Sequence, residues 1–285
     1  MIRYRFETVP NLVNDQGSYA AMVLADGEVL LDRDGPVATL TINRPEKRNA
    51  LSTLVLAGLR DGLAEVKDDP AVRVLVLTGS GEKAFCAGAD LVGPSPVTGG
   101  ADMDSVALHE GRGAIARLFE DLWDLGKPTI ARVRGYALAG GMGLALACDL
   151  IVAADDAVFG MPEIDIGIWP YIITVPMLRS MPPKRALELM MTGRRVTAAE
   201  AEAIGFVSKV APIEGLDDAV LDLASTLARK APVSMRLGRQ SFYAALDMSS
   251  RDALAYMHAM LSIATGSDEA AEGRAAFAER RPPNW

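Results

Sequence analysis

The run Val72-Arg-Val-Leu-Val-Leu-Thr78 is apolar at nearly every position. A strand with one face in water alternates apolar and polar residues, whereas a continuous run needs cover on both faces. This segment therefore calls for helices on each side of a sheet. Glu28–Asp32 and Val37–Ile42 read as paired strands across the turn Arg33-Asp-Gly-Pro36. Ser52 is placed to cap a helix over Thr53–Lys67, with Leu56, Leu59, Leu63 and Val66 on one face. A helix over Ser105–Leu125 is broken at Lys127-Pro128, and Thr129–Val133 is the next strand. Further helices are predicted over Lys184–Met191, Ala198–Ile204, Leu216–Lys230, Val233–Ala245, Arg251–Ile263 and Asp268–Ala278. Strands and helices alternate and a helical tail follows, which predicts an α/β fold. We divide it into an extension (1–25), a core (26–210) and a helical C-terminal region (211–285). The segment Val92–Gly100 is rich in glycine and proline and is expected to be mobile.

Half of the 285 residues are hydrophobic, enough for one large core, and the net charge is −8. That charge argues against nucleic acid or an anionic membrane as a partner. Cys86 and Cys148 lie among small apolar residues with no CxxC spacing, so buried thiols are expected rather than a disulfide or a metal site. His109 and His258 have no catalytic neighbourhood and read as surface or structural residues. Residues 1–16 are mixed polar with no apolar run, and no stretch reads as a membrane span, so a cytoplasmic protein is expected.

Two turns carry the chemistry. Phe85-Cys-Ala-Gly88-Ala89-Asp90 and Gly135–Gly141 each follow a predicted strand, and the second leads into a helix starting near Gly140. Small residues let a ligand approach the backbone. Amide hydrogens at a helix start have no internal partner and favour negative charge. Two such donors aimed at one point make an oxyanion hole; by spacing alone they are equally tight turns in a small-residue core. There is no GxGxxG and no P-loop to favour a nucleotide.

The motifs Asn43-Arg-Pro-Glu-Lys-Arg-Asn49-Ala-Leu, Ala84-Phe-Cys-Ala-Gly-Ala-Asp90-Leu, Tyr136-Ala-Leu-Ala-Gly-Gly-Met-Gly143-Leu-Ala-Leu-Ala-Cys-Asp149 and Phe159-Gly-Met-Pro-Glu163-Ile-Asp-Ile-Gly167 resemble the crotonase family of enoyl-CoA hydratases and isomerases. The resemblance runs from about Val37 to Arg281. It implies a spiral of ββα turns with a helical trimerisation region, a homotrimer or dimer of trimers, and an acyl-CoA substrate whose coenzyme A is part of the substrate, with no separate cofactor and no metal. It also implies that Ala89 and Gly140 N–H hold the thioester carbonyl and that Glu163 moves the proton. Ala87, Gly88, Asp90 and Leu91 would line the CoA cleft, and Gly141, Gly143 and Trp169 would meet the substrate. Basic residues of the Arg44–Arg48 loop would meet CoA phosphates or simply be solvated.

One departure matters. Many hydratases of that family carry a second glutamate where this chain has Gly143. Monofunctional 3-enoyl-CoA isomerases of the family resemble this chain in having one glutamate, at the Glu163 position. The resemblance thus implies double-bond isomerisation by a single carboxylate. The alternatives are hydration with a substitute group, for which Asp165 and Asp90 are candidates, and thioester binding with little turnover. Trp169 and Tyr171 either reshape the acyl pocket or pack on the core. Glutamate placed at position 143 is expected to raise hydration.

Overall fold

The computed structural model describes residues 21–93, 95 and 104–285. Most of the segment expected to be mobile, and the first twenty residues of the expected extension, lie outside these. The larger sheet contains β1 (Met22–Leu24), β2 (Val29–Asp34), β3 (Val37–Ile42), β4 (Val74–Gly79), β6 (Thr129–Val133), β8 (Leu150–Ala154) and β11 (Lys209–Ala211), in the order β1-β2-β3-β4-β6-β8-β11. β1, β2 and β3 form an antiparallel meander; from β3 onward the neighbours are parallel. The sheet thus starts within the segment read as an extension, because Met22–Leu24 pairs with Val29–Leu31.

Both faces are covered, as the apolar run requires. Leu75 and Leu77 of β4 join one core with α1 (Thr53–Asp68), while Val74 and Val76 join a second core with α8 (Leu216–Ala228). Helix α1 begins where Ser52 accepts a hydrogen bond from Val55 N–H, and it buries Leu56, Leu59, Leu63 and Val66. The helix expected over Ser105–Leu125 is two: α2 (Ser105–Arg112) and α3 (Ala114–Trp123), divided at Gly113. Glycine is a poor helix former, and the sequence offered no stronger break.

A smaller sheet holds β5 (Ala84–Cys86), β7 (Tyr136–Leu138), β9 (Val158–Gly160) and β10 (Arg195–Thr197), in the order β10-β9-β7-β5. α4 (Gly140–Ala147) leaves β7 almost at once, and α5 (Thr174–Ser180) and α6 (Pro183–Thr192) follow β9. α7 (Ala198–Ile204) precedes β11. The tail consists of α9 (Pro232–Leu246), α10 (Ser250–Thr265) and α11 (Asp268–Glu279), close to the expected bounds.

Candidate active site

The small sheet positions the site. β5, β7 and β9 run parallel, with Cys86 opposite Ala137 and Leu138 opposite Gly160. Their C-terminal ends share one edge, the edge where open parallel sheets bind ligands. The residues just beyond are Ala87–Asp90, Ala139–Gly143 and Met161–Gly167. The two turns and the glutamate, far apart in sequence, thus come from adjacent strands.

The first turn exposes one amide. Leu51 and Ala89 form a parallel bridge: Leu51 N–H donates to Gly88 O (2.8 Å) and Asp90 N–H donates to Leu51 O (3.0 Å). In that pattern Ala89 N–H faces away from Leu51, and it meets no acceptor among the described residues. The second amide belongs to Gly140, the first residue of α4, and it too is unpaired. The two carriers touch: a Cβ on Gly88 would stand 2.7 Å from Ala139 Cβ and 3.3 Å from Gly140 N. Each donor follows a residue of positive φ, Gly88 at 93° and Ala139 at 52°. Gly88 adopts this freely. Ala139, with ψ −128°, occupies a region that costs about 1–3 kcal/mol for a residue with a side chain, and this strain turns the Gly140 amide out of line. Gly88→Ala is expected to spread the donors and lower kcat by about 10²–10³ with circular dichroism unchanged; a variant of wild-type rate would remove this pair from the chemistry.

Glu163 sits in a short 3₁₀ turn, Pro162–Ile166, ended by Gly167 in the left-handed region. Met161 is fully buried and pins the start of the turn, while Ile168 N–H donates to Glu163 O at 3.0 Å. The carboxylate is half-buried and its Oε2 is enclosed with no hydrogen-bond partner. Burial pushes its pKa from 4.5 to about 7, against a small lowering by its own backbone amide. A carboxylate tuned to neutral pH, with one oxygen unclaimed, is suited to take and return a proton.

Other expected site residues take different parts. Asp90 is spent locally: its carboxylate accepts Val92 and Gly93 N–H and pairs with Arg44 at 3.1 Å, and the Gly93 amide, ahead of the other contacts, holds it below the usual carboxylate range. It caps a turn rather than a helix and is no substitute base. Arg44 turns inward to Glu28, Asp90 and Ala50 O, leaving Lys47 and Arg48 as the exposed cations of that loop. Asp165 is exposed, beside Gly193. Gly141 is a packing glycine, since a Cβ there would lie 2.1 Å from Cys86 O. Ala87 is half-buried, its amide donating to Arg48 O, and Leu91 is exposed. Trp169 packs on the core whereas Tyr171 is largely exposed.

Gly143 is buried, and the position of a Cβ on it lies 2.9 Å from Ile173 Cγ2 and 3.0 Å from Phe119 Cζ. Glutamate introduced there requires Ile173 and Phe119 to shift before its carboxylate reaches the site. The sequence reading passed over Ile173, Phe119 and Ile115, whose Cδ1 is 3.0 Å from the corresponding point on Gly140. It also passed over Asn49, a buried residue at φ 56° whose side chain donates to Ser80 O and Ala84 O and accepts from Arg44 N–H, holding the first turn's approach in place. An asparagine inside a loop of charged residues was its only signal. Both cysteines are free and buried, burial pushing the Cys86 thiol up to about 12, and both histidines are exposed. Among the described residues no cluster of three potential metal ligands occurs, and no helix is long and apolar enough to cross a membrane.

The enoyl-CoA hydratase/isomerase family model matches residues 32–285. The chain belongs to this family. A carnitinyl-CoA dehydratase from Salmonella arizonae is 37% identical over 262 residues, spanning 90% of this chain and 97% of its own. The solved structure of an enoyl-CoA hydratase from Mycobacterium smegmatis superposes with a TM-score of 0.84 at 34% identity, over 90% of this chain and 98% of that one. One from Bacillus anthracis gives the same TM-score at 32% identity. Family membership makes this an enzyme of CoA thioesters, and its mixed α/β fold is that of the crotonase structures.

Proposed function

We propose that the enzyme moves a carbon–carbon double bond within an acyl-CoA thioester, using Glu163 alone. The observation that carries this reading is Glu163, which follows β9 at the sheet edge it shares with Ala89 and Gly140, its carboxyl raised to about 7 with one oxygen unpartnered and the two amides without an acceptor among the described residues. Glu163 takes a proton from C2 of a 3-enoyl thioester. The electron pair passes onto the carbonyl oxygen, where the two amides stabilise the dienolate more strongly than the starting ester. Glu163 then delivers the same proton to C4, and the double bond lies between C2 and C3. Charge and atoms balance with no second acid. The coenzyme A moiety belongs to the substrate, and Ala87 to Leu91 line its approach, with exposed Lys47 and Arg48 nearby to meet phosphate.

Hydration of a 2-enoyl thioester is the second reading, favoured by the hydratase names of the solved relatives. One pair of assays separates the two. Appearance of the conjugated thioester absorbance from 3-enoyl-CoA supports isomerisation. Its loss from 2-enoyl-CoA, with hydroxyacyl-CoA found by mass, supports hydration. Binding with neither leaves a thioester-binding protein.

We also propose that copies of this chain cover the apolar face of the helical tail. α10 buries none of its residues, and Leu254, Leu261 and Phe277 are exposed by 73%, 61% and 88%. Monomers rarely leave so much apolar surface in water. Light scattering is expected to give three or six times the chain mass, and a monomer at micromolar concentration would refute this.

A further inference from the structure

The face of α4 that begins at the Gly140 donor continues one turn later at Gly143, since residues three apart share a helix face. α3 lies along it and presents Ile115 and Phe119, four apart, to those two glycines in turn. Exposure falls along the row: Ile115 is half-buried beside the donor, Phe119 is 2% exposed and Ile173 is 6% exposed. Glycine at 143 opens no hollow, because Ile173 and Phe119 fill the space to within contact distance. With the carbonyl held at Gly140, as in the reading above, the direction of α4 would carry an acyl chain past Ile115 toward this pair.

We propose that Ile173 and Phe119, meeting over the Cα of Gly143, are specificity-determining residues that form a dry floor and limit the enzyme to short hydrocarbon acyl groups. This deepens the reading above and rests on it for the acyl chain's placement at Gly140. Ile173 supplies Cγ1 and Cγ2 to the contact and Phe119 the tip of its ring. No polar atom of either can hold water at the end of the chain.

The test compares trans-3-hexenoyl-CoA with trans-3-dodecenoyl-CoA. In Ile173→Ala the ratio of kcat/KM, long over short, is expected to rise about tenfold or more, the usual scale for room in an apolar pocket. Phe119→Leu, which withdraws the ring tip but keeps a core hydrophobe, is expected to shift it the same way. An unchanged ratio in both folded variants overturns the floor. Wild-type protein gives a measurement independent of folding and of turnover: calorimetry with saturated straight-chain acyl-CoA esters. Affinity is expected to climb with the first few methylenes and then stop; an uninterrupted climb to dodecanoyl-CoA overturns the floor. If double-bond movement is absent while the plateau is seen, the reaction assignment has failed and the floor stands. Turnover with no dependence on chain length is the reverse case.

Discussion

Glu163→Gln is expected to lower kcat by about 10³ or more, within the range typical of a lost acid/base group, while leaving affinity for a saturated acyl-CoA nearly unchanged. The amide side chain keeps the shape of the carboxylate in its half-buried place but cannot accept the C2 proton. The two amides proposed to hold the thioester lie beyond other strands, β5 and β7, and are untouched. Isothermal titration and steady-state rates on one preparation separate the two effects; undiminished turnover would remove Glu163 from the mechanism. The pH profile follows from the same residue. Only the ionised carboxylate is a base, so kcat/KM of the wild type should rise about tenfold per unit below pH 7 and level off above it. Stability moves the other way. The native carboxyl holds its proton up to about 7, whereas the unfolded one releases it near 4.5. Stability is thus lost as pH rises between those values. The Gln variant should therefore melt higher than wild type at pH 8 and equally at pH 4, with the gap opening between. Equal melting temperatures at pH 8 would mean that burial does not hold the proton on.

Arg239→Ala is expected to cost about 3–5 kcal/mol, the scale for breaking a buried pair and stranding one charge. Its side chain is 6% exposed and its Nε pairs with Asp149 at 2.7 Å. The remaining nitrogens donate to Leu122 O and Trp123 O, the last carbonyls of α3, at 2.7 and 2.5 Å. Asp149 also takes Tyr243 Oη–H at 2.6 Å and Thr129 N–H at 2.7 Å. One arginine on α9 thus ties the tail to the end of α3, to β6 and to the residue that precedes β8. Without it, Asp149 loses its cationic partner and the Trp123 carbonyl its arginine donor. Against a typical total of about 5–15 kcal/mol, that loss is a large fraction. Denaturant titration measures it, and a change below about 1 kcal/mol would show that the tail is held by its apolar contacts instead.

The elements read correctly from sequence are those with a long periodic signal. Val37–Ile42, Thr129–Val133 and Ala198–Ile204 have the expected bounds, and α1 buries the four apolar positions its spacing named. β5, β7, β9 and β10 have three residues each, too few for any period to declare itself. Yet the ends of β5, β7 and β9 carry the candidate site. Glu163 was singled out by its motif; its raised pKa and idle oxygen come from burial, which a motif does not state. Asp90 was placed in the lining of the CoA cleft by its motif; that its carboxylate takes the Val92 and Gly93 amides and pairs with Arg44 is a matter of geometry the motif does not state.

By itself the sequence determined a sheet covered on both faces, helices on those faces, two small-residue turns, a lone glutamate and the absence of a carboxylate at 143. Those are properties of local pattern and side-chain identity. Only the tertiary structure decided that the ends of β5, β7 and β9 share one edge, that Ala89 and Gly140 keep amides unpaired among the described residues, and that Ile173 and Phe119 close over Gly143. These depend on pairing register and on volume filled by residues distant in the chain, and neither is written in the residues that flank the site.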